Sequence, residues 1–235
     1  MSTSAKSGST NGSSISSLLA NPSLGARRLE VKAGATLHEP DTKADDLYYI
    51  ESGQVRLYQI GPDDSSRLTD ILGHGEWFGI AALAKADTYG TRAVVVSASI
   101  LWALPAARLM ELLGAQPKAA IELVAQLASR LGAAHDDAAR LVFDDCNQRL
   151  IQTLLRFSRT AAATPQDDGE VILRITHEQL AQAVGAARET VSLALTQLRQ
   201  RNLLRTGRNR LFFKPNNLQQ FCRTESRTAA PLQVN

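Results

Sequence analysis

The spacing of apolar positions changes character along the chain. From about residue 27 to 104 they come in short runs broken by glycine turns. LYYIESGQVRLYQI (47–60) sets Ser-Gly between two apolar-aromatic runs, GPDD follows as a turn, and LTDIL, GHGEWFG and RAVVVSASILWAL continue the series. Many short strands of this kind predict a small antiparallel roll or barrel. Helical spacing takes over at Pro105, a favourable first-turn residue. Val124, Leu127, Leu131, Ala134, Ala138 and Leu141 then recur at steps of 3, 4, 3, 4 and 3. Gln126, Ser129, Arg130 and Asp137 leave this seam narrow, whereas a helix lying only on its own roll shows a wider stripe. The seam therefore predicts a symmetric homodimer. After FDD (143–145) another helix, NQRLIQTLLRFSR, leads to the loop TAAATPQDDG. Residues 1–22, rich in Ser, Gly, Asn and Thr, are expected to be a disordered leader.

The segment ITHEQLAQAVGAARETVSLALTQL carries the chemistry. Thr176 followed three residues later by Gln179 is a capping box, so a helix should start at His177. From that start, small Ala181 falls at position five, Gly185 at nine and Val191 at fifteen. This is the helix-turn-helix pattern: a small residue where two helices cross, a glycine able to take positive φ in the turn, and an apolar residue locking the second helix. Val191, Leu195 and Leu198 form the inward stripe of that second helix and leave Arg188, Glu189 and Ser192 pointing out. An Arg fork matches O6 and N7 of guanine and a Glu accepts from cytosine N4, so Arg188 and Glu189 suit adjacent positions in a major groove. Thr190 and Thr176 complete the expected DNA-facing set. NLLRTGRNRLFFKP reads as a two-stranded wing around Gly207, with Arg205, Arg208, Arg210 and Lys214 placed for phosphates.

A chain of 235 residues, 44% hydrophobic, is comfortable for two domains with proper cores. No run is apolar enough to span a membrane, and MSTSAKSGSTNGSSISSLL does not read as a secretory signal, so a cytoplasmic protein is expected. The net charge of +3 is uneven. Residues 150–235 hold 12 Lys/Arg and 6 Asp/Glu, a net of +6; residues 1–149 hold 14 and 17, a net of −3. The basic half is the nucleic-acid candidate. Cys146 and Cys222 lie far apart without a CxxC or a His at ligand spacing, which indicates neither a disulfide framework nor a zinc or iron-sulfur site. His38, His74 and His135 read as unliganded single histidines, and no cofactor is indicated. Asp63, Asp64, His74 and Glu76 lie in or beside turns with no nucleophile to join them, so no enzyme is expected.

With these motifs in place, residues 27 to about 222 resemble the Crp/Fnr family of bacterial transcription regulators, through LYYIESGQVRLY, GHGEWFG, the long helix running into RLIQTLLRF, and above all ITHEQLAQAVGAARETVSLALTQLRQRNLL. The resemblance implies an α+β fold: a β-roll effector domain over 23–115, a dimerisation helix over 116–142, a winged helix-turn-helix over 143–222 and a flexible tail over 223–235. It further implies a homodimer reading a palindromic operator, with Arg188, Glu189 and Ser192 in base-reading and groove-facing positions. Double-stranded DNA, a small-molecule effector and RNA polymerase are the partners to expect. Members that bind cyclic AMP share a Gly-Glu pair for the ribose and an Arg-Ser-Ala stretch for the phosphate; here Gly79-Ile80 stands at the first, and Tyr89, Gly90 and Thr91 at the second, with Arg92 nearby. Ala134-His135 replaces the polar pair that the dimer helix offers the nucleotide. A phosphate without its cation and a ribose without its carboxylate would lose several charge-assisted bonds, so an effector other than cyclic AMP is expected. Effector-independent regulation, or a winged helix that binds a protein, are the alternatives. Ala187 stands where the family commonly has a Ser capping the recognition helix.

Overall fold

The computed structural model describes residues 11–84 and 86–228, which divide into two compact units: residues up to 62 together with 72–132, and residues 63–71 together with those from 133 onward. In the first unit, helix α1 (Asn11–Leu19) precedes strands β1 (Arg27–Val31), β2 (Thr36–His38), β3 (Asp46–Ser52) and β4 (Val55–Ile60). Strand β5 (Ser66–Leu72) belongs almost wholly to the second unit. Strands β6 (Trp77–Phe78), β7 (Arg92–Val95) and β8 (Ser99–Pro105) follow, then helices α2 (Leu109–Ala115) and α3 (Pro117–Phe143).

The roll is antiparallel, as the glycine-spaced runs predict. One sheet has the order β1-β8-β3-β6, pairing Leu29 with Leu101 and Tyr49 with both Trp102 and Trp77; in another, β7 lies between β2 and β4. The two runs of LYYIESGQVRLYQI thus go to different sheets. Gly53 makes the switch at φ +100°, and a Cβ there would sit 2.0 Å from Ser99 Oγ, so only glycine fits. Leu47, Tyr49, Ile50, Trp77, Phe78, Leu101 and Leu104 fill the core.

The structure corrects the leader expected over 1–22. Residues 1–10 lie outside the described residues, but Asn11–Leu19 is helical and a 3-10 turn at Pro22–Leu24 follows, its first amide held by Asn21. Ile15, Leu19 and Leu24 are buried in the roll core. Serine-rich composition hid a short apolar face that is enough to dock one helix.

Helix α3 matches the long helix expected over 116–142. Ala119 and Leu123 are buried in the roll core and Leu127 packs against it. Gln126 and Arg130, expected only as polar flanks, grip the turn before β6: Gln126 accepts from Trp77 N (3.1 Å) and donates to Gly75 O (3.0 Å), and Arg130 lies 3.6 Å from Glu76.

In the second unit, helix α4 (Cys146–Phe157) opens with a capping box between Asp145 and Gln148. Then come β9 (Ala163–Pro165), β10 (Val171–Leu173), α5 (His177–Val184), α6 (Arg188–Gln200), β11 (Leu204–Gly207), β12 (Arg210–Phe213) and α7 (Pro215–Thr228). The sheet order is β11-β12-β10-β9, and Leu150, Leu154, Phe157, Leu180, Val191, Leu211, Phe213 and Leu218 are fully buried. Residues 63–71 group with this unit: Gln182 Nε2 donates to Ser66 Oγ (2.8 Å) and Arg156 to the Thr69 carbonyl (2.9 Å). Of the tail expected to be flexible, residues 223–228 are the end of α7, and 229–235 lie outside the described residues.

Candidate nucleic-acid interface

The capping box at the start of α5 closes in both directions, with Gln179 N donating to Thr176 Oγ1 and Thr176 N to Gln179 Oε1, both at 3.1 Å. Helix α5 ends at Gly185, which takes φ 69° and ψ 49° and bonds back to Ala181 O. A β-carbon is disfavoured in that conformation, which is why the turn needs glycine. Helix α6 starts at Arg188 behind Ala187, which supplies no side-chain cap, and buries Val191, Ala194, Leu195 and Leu198.

On the opposite side Arg188, Glu189 and Thr190 are exposed, as the sequence pattern requires. Ser192, expected to face the groove freely, is half-buried and hydrogen-bonded to His177 Nδ1 at 3.0 Å. Thr176 is likewise half-buried, its hydroxyl occupied by the cap. Leu193, which no polar signal in the sequence marks, is 61% exposed on this face.

The wing turns at Arg208-Asn209, with Asn209 at φ 55°, while Gly207 pairs with Arg210 as a strand end. The turn centre is therefore one or two residues beyond the glycine that the sequence suggested. Arg205 donates to both carboxylate oxygens of Glu170 at 2.8 Å and lies over the Phe212 ring. The hydrogen bond to Glu170, then its charge, raises the guanidinium pKa. Lys214 sits 3.1 Å from Asp168, whose carboxyl is held low first by the Glu170 amide and then by that lysine. Arg208 and Arg210 are exposed and form no ion pair among the described residues. Two of the four wing cations are thus already neutralised.

The residues expected to hold an effector behave as follows. Gly79 takes φ 76°, with Asp46 O 2.9 Å from where a Cβ would be, and Ile80 beside it is 41% exposed. Tyr89 is buried; its hydroxyl donates to Asp46 O (2.8 Å) and accepts from Asp46 N (3.1 Å), and burial pushes its phenol pKa up. Its ring stacks 3.9 Å from that of His38, whose Nδ1 donates to the Thr91 carbonyl at 2.8 Å. Arg92 Nε is bonded to Glu39 at 2.7 Å. His135 is exposed on α3, in the second unit.

Along α3, Val124 (64%), Leu131 (58%) and Leu141 (42%) are exposed, as are Ala134 and Ala138, and Ile121 at 71% extends the seam by another turn. Leu127 leans toward the roll instead. Among the described residues no cluster of His, Cys, Asp or Glu is placed to hold a metal ion, and no helix is long and apolar enough to cross a membrane.

Residues 28–116 match the model of the cyclic nucleotide-binding domain, and residues 148–221 that of the Crp-like helix-turn-helix domain. The chain is 32% identical over 161 residues to the cyclic AMP receptor protein of Thermus thermophilus, covering 68% of this chain and 71% of that protein. It is 30% identical over 177 residues to the cAMP-activated global transcriptional regulator CRP of Haemophilus influenzae, covering 73% and 77%. Among solved structures it resembles a CRP/FNR-family transcriptional regulator from Thermus thermophilus, with a TM-score of 0.70 at 25% identity over 84% of this chain and 98% of the other. It also shares the fold of the c-di-GMP responsive global regulator CLP of Xanthomonas campestris, with a TM-score of 0.73 at 24% identity over 86% and 99%.

Proposed function

The chain belongs to the Crp/Fnr family of transcription regulators and carries its helix-turn-helix DNA-binding domain, and from that premise we propose that it binds an inverted-repeat operator as a homodimer under an effector other than cyclic AMP. The observation that carries the DNA reading is the exposed Arg188-Glu189 pair at the start of a helix whose other face is fully buried. Arg188 reads guanine through O6 and N7, and Glu189 accepts from cytosine at the neighbouring pair. Thr190, with Ser192 and Thr176 positioned through the cap and His177, lies along the same approach. Arg208 and Arg210 hold phosphates, with Arg205 held back on Glu170.

Dimerisation is supported by the exposed apolar seam from Ile121 to Leu141. Two recognition helices related by a two-fold axis enter successive major grooves about 34 Å apart, so the half-sites are about one helical turn apart. RNA polymerase is the partner that would convert this binding into regulation.

Of the relatives, the Haemophilus influenzae regulator is cAMP-activated and the Thermus thermophilus protein is a cyclic AMP receptor protein, but the corresponding groups differ here. Ile80 offers a ribose no carboxylate, Arg92 is bonded to Glu39, and the Tyr89 hydroxyl is held by the Asp46 backbone. Gly79, Ile80, Tyr89, Thr91 and Arg92 are the positions of the roll through which another effector would act. The test is selection of operator DNA by the full chain, followed by gel shifts with and without candidate effectors, and calorimetry with cyclic AMP. An inverted repeat and no cyclic AMP binding are expected. Tight cyclic AMP binding would overturn the effector assignment, and selection of no DNA would overturn the reading as a whole.

A further inference from the structure

Helix α6 has one feature that neither charge nor capping explains. The buried residues Val191, Ala194, Leu195 and Leu198 define its inner face. At about 100° per residue, Leu193 falls almost opposite their centre, about 40° around the helix from Glu189 and about 6 Å further along it. The outermost line of the helix therefore runs from Glu189 to Leu193, and Leu193 is 61% exposed there. A leucine in that place is left mostly uncovered. The unit that carries it has the charge of a nucleic-acid surface: Arg188 at the same helix start, Arg208 and Arg210 without ion pairs among the described residues of the wing, and a net charge of +6 over residues 150–235.

The major groove offers one apolar group, the C5-methyl of thymine. We propose that Leu193 reads a thymine methyl in each half-site, one or two base pairs from the pair that Glu189 contacts. The spacing follows from the rise: about 6 Å along the helix spans about two base pairs of roughly 3.4 Å when the helix lies in the groove. The inference rests on the reading of α6 as a recognition helix. It adds an apolar determinant, T over C, to the polar code of Arg188 and Glu189.

The test uses operator DNA selected by the full-length protein, in which each thymine is replaced in turn by deoxyuridine. That change removes the methyl and leaves every hydrogen-bonding group in place. For the native protein, one thymine per half-site should matter, its replacement weakening binding about fourfold, the worth of one buried methyl-sized group. Leu193→Ala should bind the native operator more weakly by a similar factor and lose its sensitivity at that position alone. Because Leu193 is exposed, the variant keeps its core, and its retained discrimination at the Arg188 guanine confirms that the domain is folded and docked. If no thymine matters, or if Leu193→Ala remains as sensitive as the native protein, the assignment is overturned and a protein surface becomes what covers Leu193. If no operator is selected, the DNA reading of α6 fails and this inference with it, an outcome distinct from the other two.

Discussion

His177 Nδ1 and Ser192 Oγ, fifteen residues apart, hydrogen-bond at 3.0 Å and tie the first helix of the helix-turn-helix to the second. Both side chains are half-buried, and the bond occupies the Ser192 hydroxyl. His177→Ala and Ser192→Ala should each lower stability, and the double variant should lose less than the sum. A coupling of about 0.5–1.5 kcal/mol is expected from denaturant midpoints. Strictly additive losses would show that the contact is not energetic.

Arg188 and Arg208 should fail differently when removed. Arg188→Ala is expected to cost about 1–3 kcal/mol on the operator and to relax selection at one base pair. Arg208→Ala should weaken all sequences alike and reduce the salt slope. Titrations against the operator and a single-base variant separate the two, and equal losses on both DNAs for Arg188→Ala would make it a backbone contact.

Glu170 holds Arg205, a cation of the wing, in an ion pair. Because the Arg205 pair is solvent-exposed, water and salt screen it, and it is readily broken. Glu170→Gln should raise affinity for random DNA severalfold at low salt and steepen the salt dependence by about one phosphate per subunit. Fluorescence anisotropy at several salt concentrations measures both, and an unchanged slope would show that Arg205 stays clear of the backbone.

Leu131→Asp would set two carboxylates against each other across the dimer axis. Sedimentation should then find monomers for the variant and the proposed dimers for the native chain. A dimeric variant would place the interface elsewhere.

His38 carries a pH dependence with a definite sign. Burial lowers its pKa below 6.5, outweighing the Thr91 bond and the Glu39 charge that favour protonation. As pH falls through 6.5 the unfolded chain takes the proton first, so the stability present above 6.5 is lost on acidification, at up to about 1.4 kcal/mol per pH unit for one proton. Urea midpoints should fall further between about pH 8 and about pH 5 in the native protein than in His38→Gln. Equal falls would assign the effect to other groups.

Local rules made the helix-turn-helix visible before any coordinates. Thr176 with Gln179, and Gly185 after the apolar run, each act within a few residues, so their spacing is their mechanism. Contacts between distant positions left no such trace. Glu170 and Arg205 are 35 residues apart and Gln126 and Trp77 49, and nothing in either neighbourhood announces the pairing. Ser192 looked free because its helical face was known and His177's reach was not. Leu193 was passed over because an exposed leucine on a polar face reads as noise until the buried stripe opposite it is known residue by residue. The helix at residues 11–19 was lost to composition, where serine content outweighed the spacing of Ile15, Leu18 and Leu19.

That helix changes where the roll domain can be cut. The match to the nucleotide-binding domain begins at residue 28, and a fragment started there would lack Ile15, Leu19 and Leu24. The core that encloses them would be left with vacant sockets, and emptying a single buried leucine-sized site costs about 2–5 kcal/mol. For a domain whose whole margin is about 5–15 kcal/mol, the segment ahead of the first strand acts as a stopper in the roll. A protease cleaving between residues 19 and 27 would unseat it and thereby alter the roll from a distance.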